Sequence, residues 1–377
     1  MSLPVYLDYN ATTPIAPEVL AAMLPYLREA YGNPSSSHHY GRIAHAGIDR
    51  AREHVAQLLG AQTSEIVFTG CATEASNIAI IGATRALRTT KRHVITTAIE
   101  HPAVMQPCLR LREDGWEITI LPVDATGRID PDAVARALRP DTALVSIMHA
   151  NNEIGTVQPI AEIAAIVRSH GVLMHTDAAQ SAGKIAVDVN ILGVDFLSIA
   201  GHKFYAPKGV GALYIRRGAP VAAVSVGADH ERGVRPGTEN VPAIVGLGEA
   251  ARIGRERLTA TGIHLRTTRD QLHRALLEAI PGLILNGHPE HRLPNTLNVS
   301  FPGVLGRRLL ESAQADVAAS LGSACHSESD TVSGVLAALG ATIDRALGAV
   351  RLSVGTPTTE RDIARAATAL IAAHSSI

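Results

Sequence analysis

Residues 195–217 read DFLSIAGHKFYAPKGVGALYIRR. The opening run, DFLSIA, is too short for a helix and almost wholly apolar, the pattern of a strand covered on both faces of a sheet. Gly201, Pro207 and Gly209 then mark a turn, and GALYIRR begins a second strand. Lys203 therefore falls just past the carboxyl end of a buried strand, where open α/β sheets gather their ligands. An apolar lead-in and small neighbours desolvate an amine and lower its pKa, as a Schiff-base lysine requires. The ordinary alternative for a lysine, a solvated surface charge, does not use that setting.

Working outward, the same alternation covers most of the chain. EIVFTG, RHVITTAIE, WEITILPVD, TALVSIMHA and GVLMHTDAA read as further strands. Between them ASNIAIIGATRALR, DPDAVARALRP and IAEIAAIVRSHG read as helices, the second opened by Asp130 before Pro131 and the third closed by Gly171. Strand–helix alternation predicts a mainly parallel, doubly wound α/β domain over residues 14–255. From about residue 255 the pattern changes. One long amphipathic helix over 253–280 is expected, then short strands at TLNVSF and AVRLSVG. A last helix from Thr359 follows, with Asp362 completing a capping box. We read residues 1–13 and 256–377 as a smaller α+β domain. A chain of 377 residues is long enough for two cores.

Bulk properties exclude several classes. The formal net charge is −1, so no whole-chain basic field points to nucleic acid or an anionic membrane. No apolar stretch approaches the roughly 18 residues of a membrane span, and the amino terminus lacks the pattern of a secretion signal. The three cysteines, Cys71, Cys108 and Cys325, form neither a disulfide framework nor a zinc pattern, so no metal site is expected and a reducing cytoplasm is the expected location.

Two further stretches give Lys203 company. The strand GVLMHTDAA ends in Asp177, a carboxylate that either caps a helix or keeps the pyridine nitrogen of pyridoxal phosphate protonated. EIVFTGCATEASN puts Ala72 and Thr73 at a helix amino terminus, a ready anion site. Lysine, carboxylate and anion site together suggest a pyridoxal phosphate enzyme. Separately, GSACHSES (322–329) sets Cys325 among glycine, serines and His326. The residues alone leave three readings of Cys325 open: a nucleophile, half of a metal site, or a surface turn.

The chain resembles the cysteine desulfurases, in the class V branch of the fold-type I pyridoxal phosphate-dependent transferases. The resemblance runs through YLDYNATTP, YGNPSSSHHYG, EIVFTGCATE, IEHPAV, MHANNEIGTVQPI, HTDAAQSAGK, AGHKFYAPKGVGALY, HERGVRPGTEN, LPNTLNVSF, GSACHS and VRLSVG. It implies pyridoxal 5'-phosphate as cofactor, with Lys203 as the covalent attachment and the base that moves the substrate Cα proton. It implies Asp177 on the pyridine nitrogen, Gln180 on the phenolic oxygen, and His101 stacked on the ring and active in proton transfer. Asn152 would touch the cofactor or the substrate carboxylate, its neighbour Asn151 being a turn residue. Ala72, Thr73 and His202 would contact the phosphate, and Thr238 the phosphate bound by a partner subunit, which makes a homodimer with a shared active site. Arg351 would hold the substrate carboxylate and Asn33 would line the substrate pocket. Cys325 would be the nucleophile that takes sulfur from L-cysteine as a persulfide, leaving L-alanine, with His326 open as its activating neighbour. Cys71 and Cys108 would be structural.

The match departs from the family pattern in places. Ala200 stands where a phosphate-binding serine or threonine is common, and Cys71, Ala206 and Ala228 stand at turn positions that are often glycine. The span after Cys325 resembles desulfurases that hand sulfur to a scaffold protein, but has DTVSG without the usual proline. The acceptor stays open among iron–sulfur cluster assembly, transfer-RNA thiolation, DNA sulfur modification and thio-metabolite synthesis. ACHS, RPGTEN and the missing serine also resemble selenocysteine lyases, and a sulfur-relay or scaffold subunit without turnover is the alternative outside enzymes.

Overall fold

The structure, a computed structural model, describes residues 3–322 and 332–377. Its strands are β1 (Val5–Tyr6), β2 (Ile66–Thr69), β3 (His93–Thr97), β4 (Glu117–Leu121), β5 (Thr142–Ser146) and β6 (Leu173–Asp177). There follow β7 (Phe196–Ala200), β8 (Gly211–Ile215), β9 (Ile284–Asn286), β10 (Thr296–Ser300), β11 (Val317–Ala318) and β12 (Ala349–Ser353). Every run read as a strand above forms one.

Seven strands make one sheet in the order β2-β8-β7-β6-β5-β3-β4. Within it β7, β6, β5, β3 and β4 pair in parallel, while β8 is antiparallel to both its neighbours. Alternate side chains explain the apolar runs. Ile66, Phe68, Leu197, Ile199 and Tyr214 enter one core, whereas Val67, Phe196 and Leu213 enter another on the opposite face. Helices His39–Leu59 and Val241–Glu256 cover the first face, and Ala72–Leu87 and Pro102–Glu113 the second. The first pair packs so closely that a Cβ on Gly248 would lie 2.4 Å from the Cα of Ala51. Glycine there is a packing requirement.

A third core joins the two chain ends: Val5 and Leu7 pack with Leu265, Leu276, Val299, Leu352 and Leu370. The antiparallel sheet β12-β10-β9 and the parallel pair β1-β11 flank it. The last helix, Glu360–Ser376, starts with the expected capping box, Thr359 and Asp362 each closing one hydrogen bond.

The helix expected over 253–280 is two helices, Val241–Glu256 and Leu258–Ala279, broken at Arg257. The first sends Ile244, Leu247 and Ala251 into the core under the large sheet; the second sends Leu265, Leu272 and Leu276 into the core at the chain ends. A single straight helix presents one apolar stripe and cannot serve both.

The outer edge of β2 is closed by side chains. Glu231, buried, receives Phe68 N–H (2.9 Å) and a two-pronged guanidinium from Arg52 (both 2.8 Å), while Arg52 (2.8 Å) and Arg232 (3.0 Å) donate to Ile66 O. Donor and acceptor on the edge strand are thus met as a neighbouring strand would meet them. Glu231 and Arg232 hold positive φ, 46° and 58°, which these bonds keep in place.

Candidate active site

β2, β3, β5, β6 and β7 point the same way, so their carboxyl ends share one rim of the sheet. There a cavity of about 290 Å³ is lined by residues at or just past the end of each of them, together with Asn10 and Arg351.

β7 ends at Ala200, and one tight turn, Gly201–Lys203, presents the amine. Lys203 Nζ donates to the main-chain oxygens of Asn10 (2.6 Å) and Ala11 (2.9 Å). Its partners are neutral carbonyls. Burial, reinforced by the Arg351 guanidinium, pushes the Lys203 pKa down to about 8 against the opposing pull of Asp177 and Asp8. The turn is held hard. Tyr205 sits at φ 71°, a conformation disfavoured for a side-chain-bearing residue. Its N–H donates to Thr13 Oγ1 (2.8 Å), and its hydroxyl accepts from Thr356 N–H (2.7 Å).

Asp177 closes β6. It is buried, its Oδ1 accepts from Ala179 N–H (2.9 Å), and among the described residues no ion pair reaches it. Burial raises its pKa, although the Ala179 bond and the His101 and Lys203 charges pull it down. Three residues on, buried Gln180 donates from Nε2 to Asn10 O (3.0 Å) and accepts at Oε1 from Lys184 Nζ (3.0 Å).

His101 caps the helix Pro102–Glu113: its Nδ1 accepts from Ala103 N–H (3.1 Å), which puts the proton of the neutral ring on Nε2. Part of the ring stays open to the cavity, yet enough protein surrounds it that desolvation, followed by the Lys203 charge, lowers its pKa; Asp177 opposes this. The preceding Glu100 is buried, and burial pushes its pKa up to about 8. It accepts from Thr97 Oγ1 (2.7 Å) and Met148 N–H (3.0 Å), tying the His101 turn to the end of β5.

The anion end is the start of the helix Ala72–Leu87. Cys71 is its cap, accepting at Sγ from Glu74 N–H (3.4 Å), so its role is structural; Cys108 is buried, and burial pushes its thiol up to about 12. A Cβ on Gly211 would lie 2.8 Å from the Cys71 carbonyl carbon, so β8 can pass behind this turn only as glycine. His202 Nδ1 meets Thr12 Oγ1 (3.2 Å), and burial, aided by Lys203, Lys208 and Lys184, pushes its pKa down to about 4.

Arg351 lies on β12 with 2% exposure. Its Nη2 pairs with Asp8 Oδ1 (2.7 Å) and its Nη1 donates to Asn152 O (3.2 Å), while buried Nε has no partner. The guanidinium is anchored at one end and leaves a donor unmet at the other. Asn152 lines the cavity, and Asn151 is the turn residue expected: its Oδ1 accepts from Glu153 and Ile154 N–H (2.8 and 3.0 Å).

Lys203, His101, Asp177, Gln180, Ala72, Thr73, Asn152, His202 and Arg351 are thus gathered round one cavity, with Ala200 in its wall. Asn33 and Thr238 are exposed and do not line it in this single chain; Asn33 Oδ1 accepts from Ser35 N–H (2.9 Å). A second cavity of about 440 Å³ adjoins through His101, Pro102 and Asn152, with Leu321 and Val332 on its wall. Cys325 and His326, between those two residues in sequence, lie outside the described residues. Among the described residues no cluster of three or more His, Cys, Asp or Glu side chains is placed to hold a metal, and no helix is long and apolar enough to cross a membrane.

Residue-by-residue reading missed Asn10, Asp8, Glu100 and Lys184. Asn10 is the hub: its side chain joins Asn152 O (3.1 Å), Thr296 (2.8 Å) and Asn295 (2.9 Å), and its carbonyl receives both Lys203 and Gln180. The available signal was an asparagine and an aspartate inside the otherwise apolar start YLDYN. Chemically, the lining offers an amine, an ionisable carboxylate at the base, a helix terminus for an anion and a free guanidinium edge for a carboxylate.

A family model described as aminotransferase class-V matches residues 5–366. A cysteine desulfurase IscS from Dictyoglomus turgidum is 47% identical over 364 residues, covering 96% of this chain and 92% of that relative. Among solved structures, a NifS-like protein superposes with a TM-score of 0.94 at 38% identity, covering all of both chains. A second, SspA in complex with cysteine, superposes with a TM-score of 0.84 at 38% identity over 93% of this chain and 98% of its own.

Proposed function

The chain belongs to the aminotransferase class-V family, and from that membership we infer that it is a pyridoxal phosphate-dependent cysteine desulfurase. It converts L-cysteine to L-alanine and passes the sulfur, as a persulfide on Cys325, to an acceptor protein. The observation that carries the reading is Lys203, an amine bonded only to neutral carbonyls, in one cavity with an unpaired buried Asp177 and the unmet Nε of Arg351.

These residues fit the cofactor on their own chemistry. An uncompensated buried carboxylate calls for a cation, which a protonated pyridine nitrogen provides. The amide nitrogen of Gln180 is a donor for a phenolic oxygen, and Ala72, Thr73 and His202 supply donors for a phosphate. Lys203 would hold the aldehyde covalently. When bound, pyridoxal phosphate supplies an electron sink for negative charge developing at the substrate Cα.

The chain's own residues do the rest. Arg351 Nε, with the guanidinium fixed by Asp8, would take the substrate carboxylate and so orient the substrate in the cavity. Lys203, with a pKa near 8, is partly neutral at physiological pH and accepts the Cα proton. His101, its tautomer set by the Ala103 bond, has Nε2–H left for proton transfer and lines both cavities. The Cys325 thiolate bonds to the substrate sulfur as the Cβ–S bond breaks. Cysteine plus thiol becomes alanine plus persulfide, with no outside oxidant.

A homodimer with a shared site belongs to the same proposal. Thr238 is exposed and away from the cavity of its own chain, so its phosphate contact needs a second copy. The stacked pair Tyr31 and Tyr40 is exposed, and Val226 is 96% exposed. Ser35 and His230, 3.5 Å apart, join these two segments into one surface.

The test is product analysis. With pyridoxal phosphate, L-cysteine and a thiol reductant, alanine and sulfide should form in equal amounts, and Cys325→Ala should abolish sulfide. Retained turnover of L-selenocysteine by that variant would move the reading to a selenocysteine lyase. No alanine from either amino acid would leave a non-catalytic relay.

A further inference from the structure

Lys184 is the buried charge that the reaction above does not use. It follows Gln180 by four residues in the tight turn 178–185, a spacing that puts both side chains on one side. It is 6% exposed, no carboxylate pairs with it among the described residues, and the acceptor of its Nζ is Gln180 Oε1 at 3.0 Å. Burial, with Lys203 and Arg351 adding repulsion, pushes its pKa down to about 7. An apolar side chain of the same length would fill this space without desolvating an amine, so packing does not account for the residue.

We propose that Lys184 is a positioning residue which holds the Gln180 amide in one orientation and strengthens it as a donor to the ring oxygen of the cofactor. A glutamine amide has one accepting and one donating end. With Oε1 bound to the amine, both N–H groups of Nε2 are committed to the Asn10 side and the cavity. While protonated, the amine on Oε1 also polarises the amide, so that its N–H bonds strengthen cooperatively. The chain of contacts is continuous: Lys184 to Gln180, Gln180 to Asn10 O, and Asn10 O to Lys203. The inference rests on the cofactor reading given above.

Lys203, His202, His101, Cys71, Asp177 and Arg351 are the other charged or titratable groups among the described residues that line the cavity, and all remain in the variants. The experiment titrates the visible absorption band of the holoenzyme with pH. A donor to the ring oxygen favours its anionic form, so Lys184→Met should raise the midpoint of that titration by about one unit, a tenfold shift in the equilibrium. In a Gln180→Ala background the same change should move the midpoint hardly at all. An unmoved midpoint in Lys184→Met overturns the inference, as does an equal shift in both backgrounds, which would be a through-space charge effect. If the methionine variant fails to fold, Lys184→Gln takes its place under the same criteria. A wild-type protein with no cofactor band would overturn the function reading instead, which keeps the two failures apart.

Discussion

At the free edge of β2, buried Glu231 and half-buried Arg52 meet as a bidentate pair, and each also bonds the strand's own backbone, Arg52 at Ile66 O and Glu231 at Phe68 N–H. At the carboxyl end of the same sheet, buried Asp177 and Lys184 and half-buried Lys203 have only neutral hydrogen-bond partners, and Arg351 keeps a bare Nε. Both regions take charge out of water. The first neutralises it on the spot, so removing one partner strands the other. The second leaves Asp177, Lys203 and Lys184 without an ion pair among the described residues, a cost to folding that a bound molecule would offset. Where the charge is answered within the chain it holds structure; where it is not, we propose that it serves the site.

The widest separation between the two regions should come from Lys203→Ala. Turnover of L-cysteine should fall by at least about 10⁴-fold, the scale on which a unit of covalent catalysis is lost. The thermal midpoint of the cofactor-free protein should stay level or rise, since an uncompensated amine is gone. Steady-state kinetics and a melting curve on one preparation read both. Glu231→Ala should do the reverse, costing about 3–5 kcal/mol in urea denaturation because half-buried Arg52 loses its ion pair and Phe68 N–H its acceptor. A cost below about 1 kcal/mol would reduce the pair to an ordinary surface contact.

Within the site, Arg351→Lys should raise KM for L-cysteine by roughly 10- to 100-fold, the value of one charged hydrogen bond, with a smaller change in kcat. A fall in kcat at constant KM would place Arg351 outside substrate binding. The smallest effect is a pH slope. The Lys203 and Lys184 pKa values lie near 8 and near 7 in the folded protein, below the ordinary 10.5. Between about pH 7 and 10.5 the unfolded chain therefore binds more protons, and the cofactor-free protein should gain stability as pH rises. The gain is complete above the unfolded value and lost as pH falls through the folded ones. Lys184→Met should flatten that slope, and chemical denaturation at stepped pH measures it.

How much of this was legible follows from the range of the interactions. The strands of the large sheet announce themselves because their side chains are buried on both faces, which leaves apolar runs such as DFLSIA. The antiparallel course of β8 does not, because its apolar run is the same in either direction. β1 and β11 are only two residues each and are strands by virtue of each other. The break at Arg257 escapes a periodicity reading since amphipathic pattern continues on both sides of it. In the site, Lys203, Asp177 and the Ala72 turn are local, each ending or following a strand. Asn10 and Asp8 act through partners elsewhere in the fold: Asp8 meets Arg351, 343 positions away, and Asn10 holds Lys203, 193 positions away. Their contribution is visible only once the chain has brought those segments together.

The account turns on where the aldehyde is held, and reduction with borohydride followed by peptide mapping reads this directly. The peptide containing Lys203 should carry the reduced cofactor, and the peptides containing Lys184 and Lys208 should be unmodified. Label on Lys184, or a reduced holoprotein with no labelled lysine, would contradict the separation between a reacting amine and a positioning one on which the site has been built.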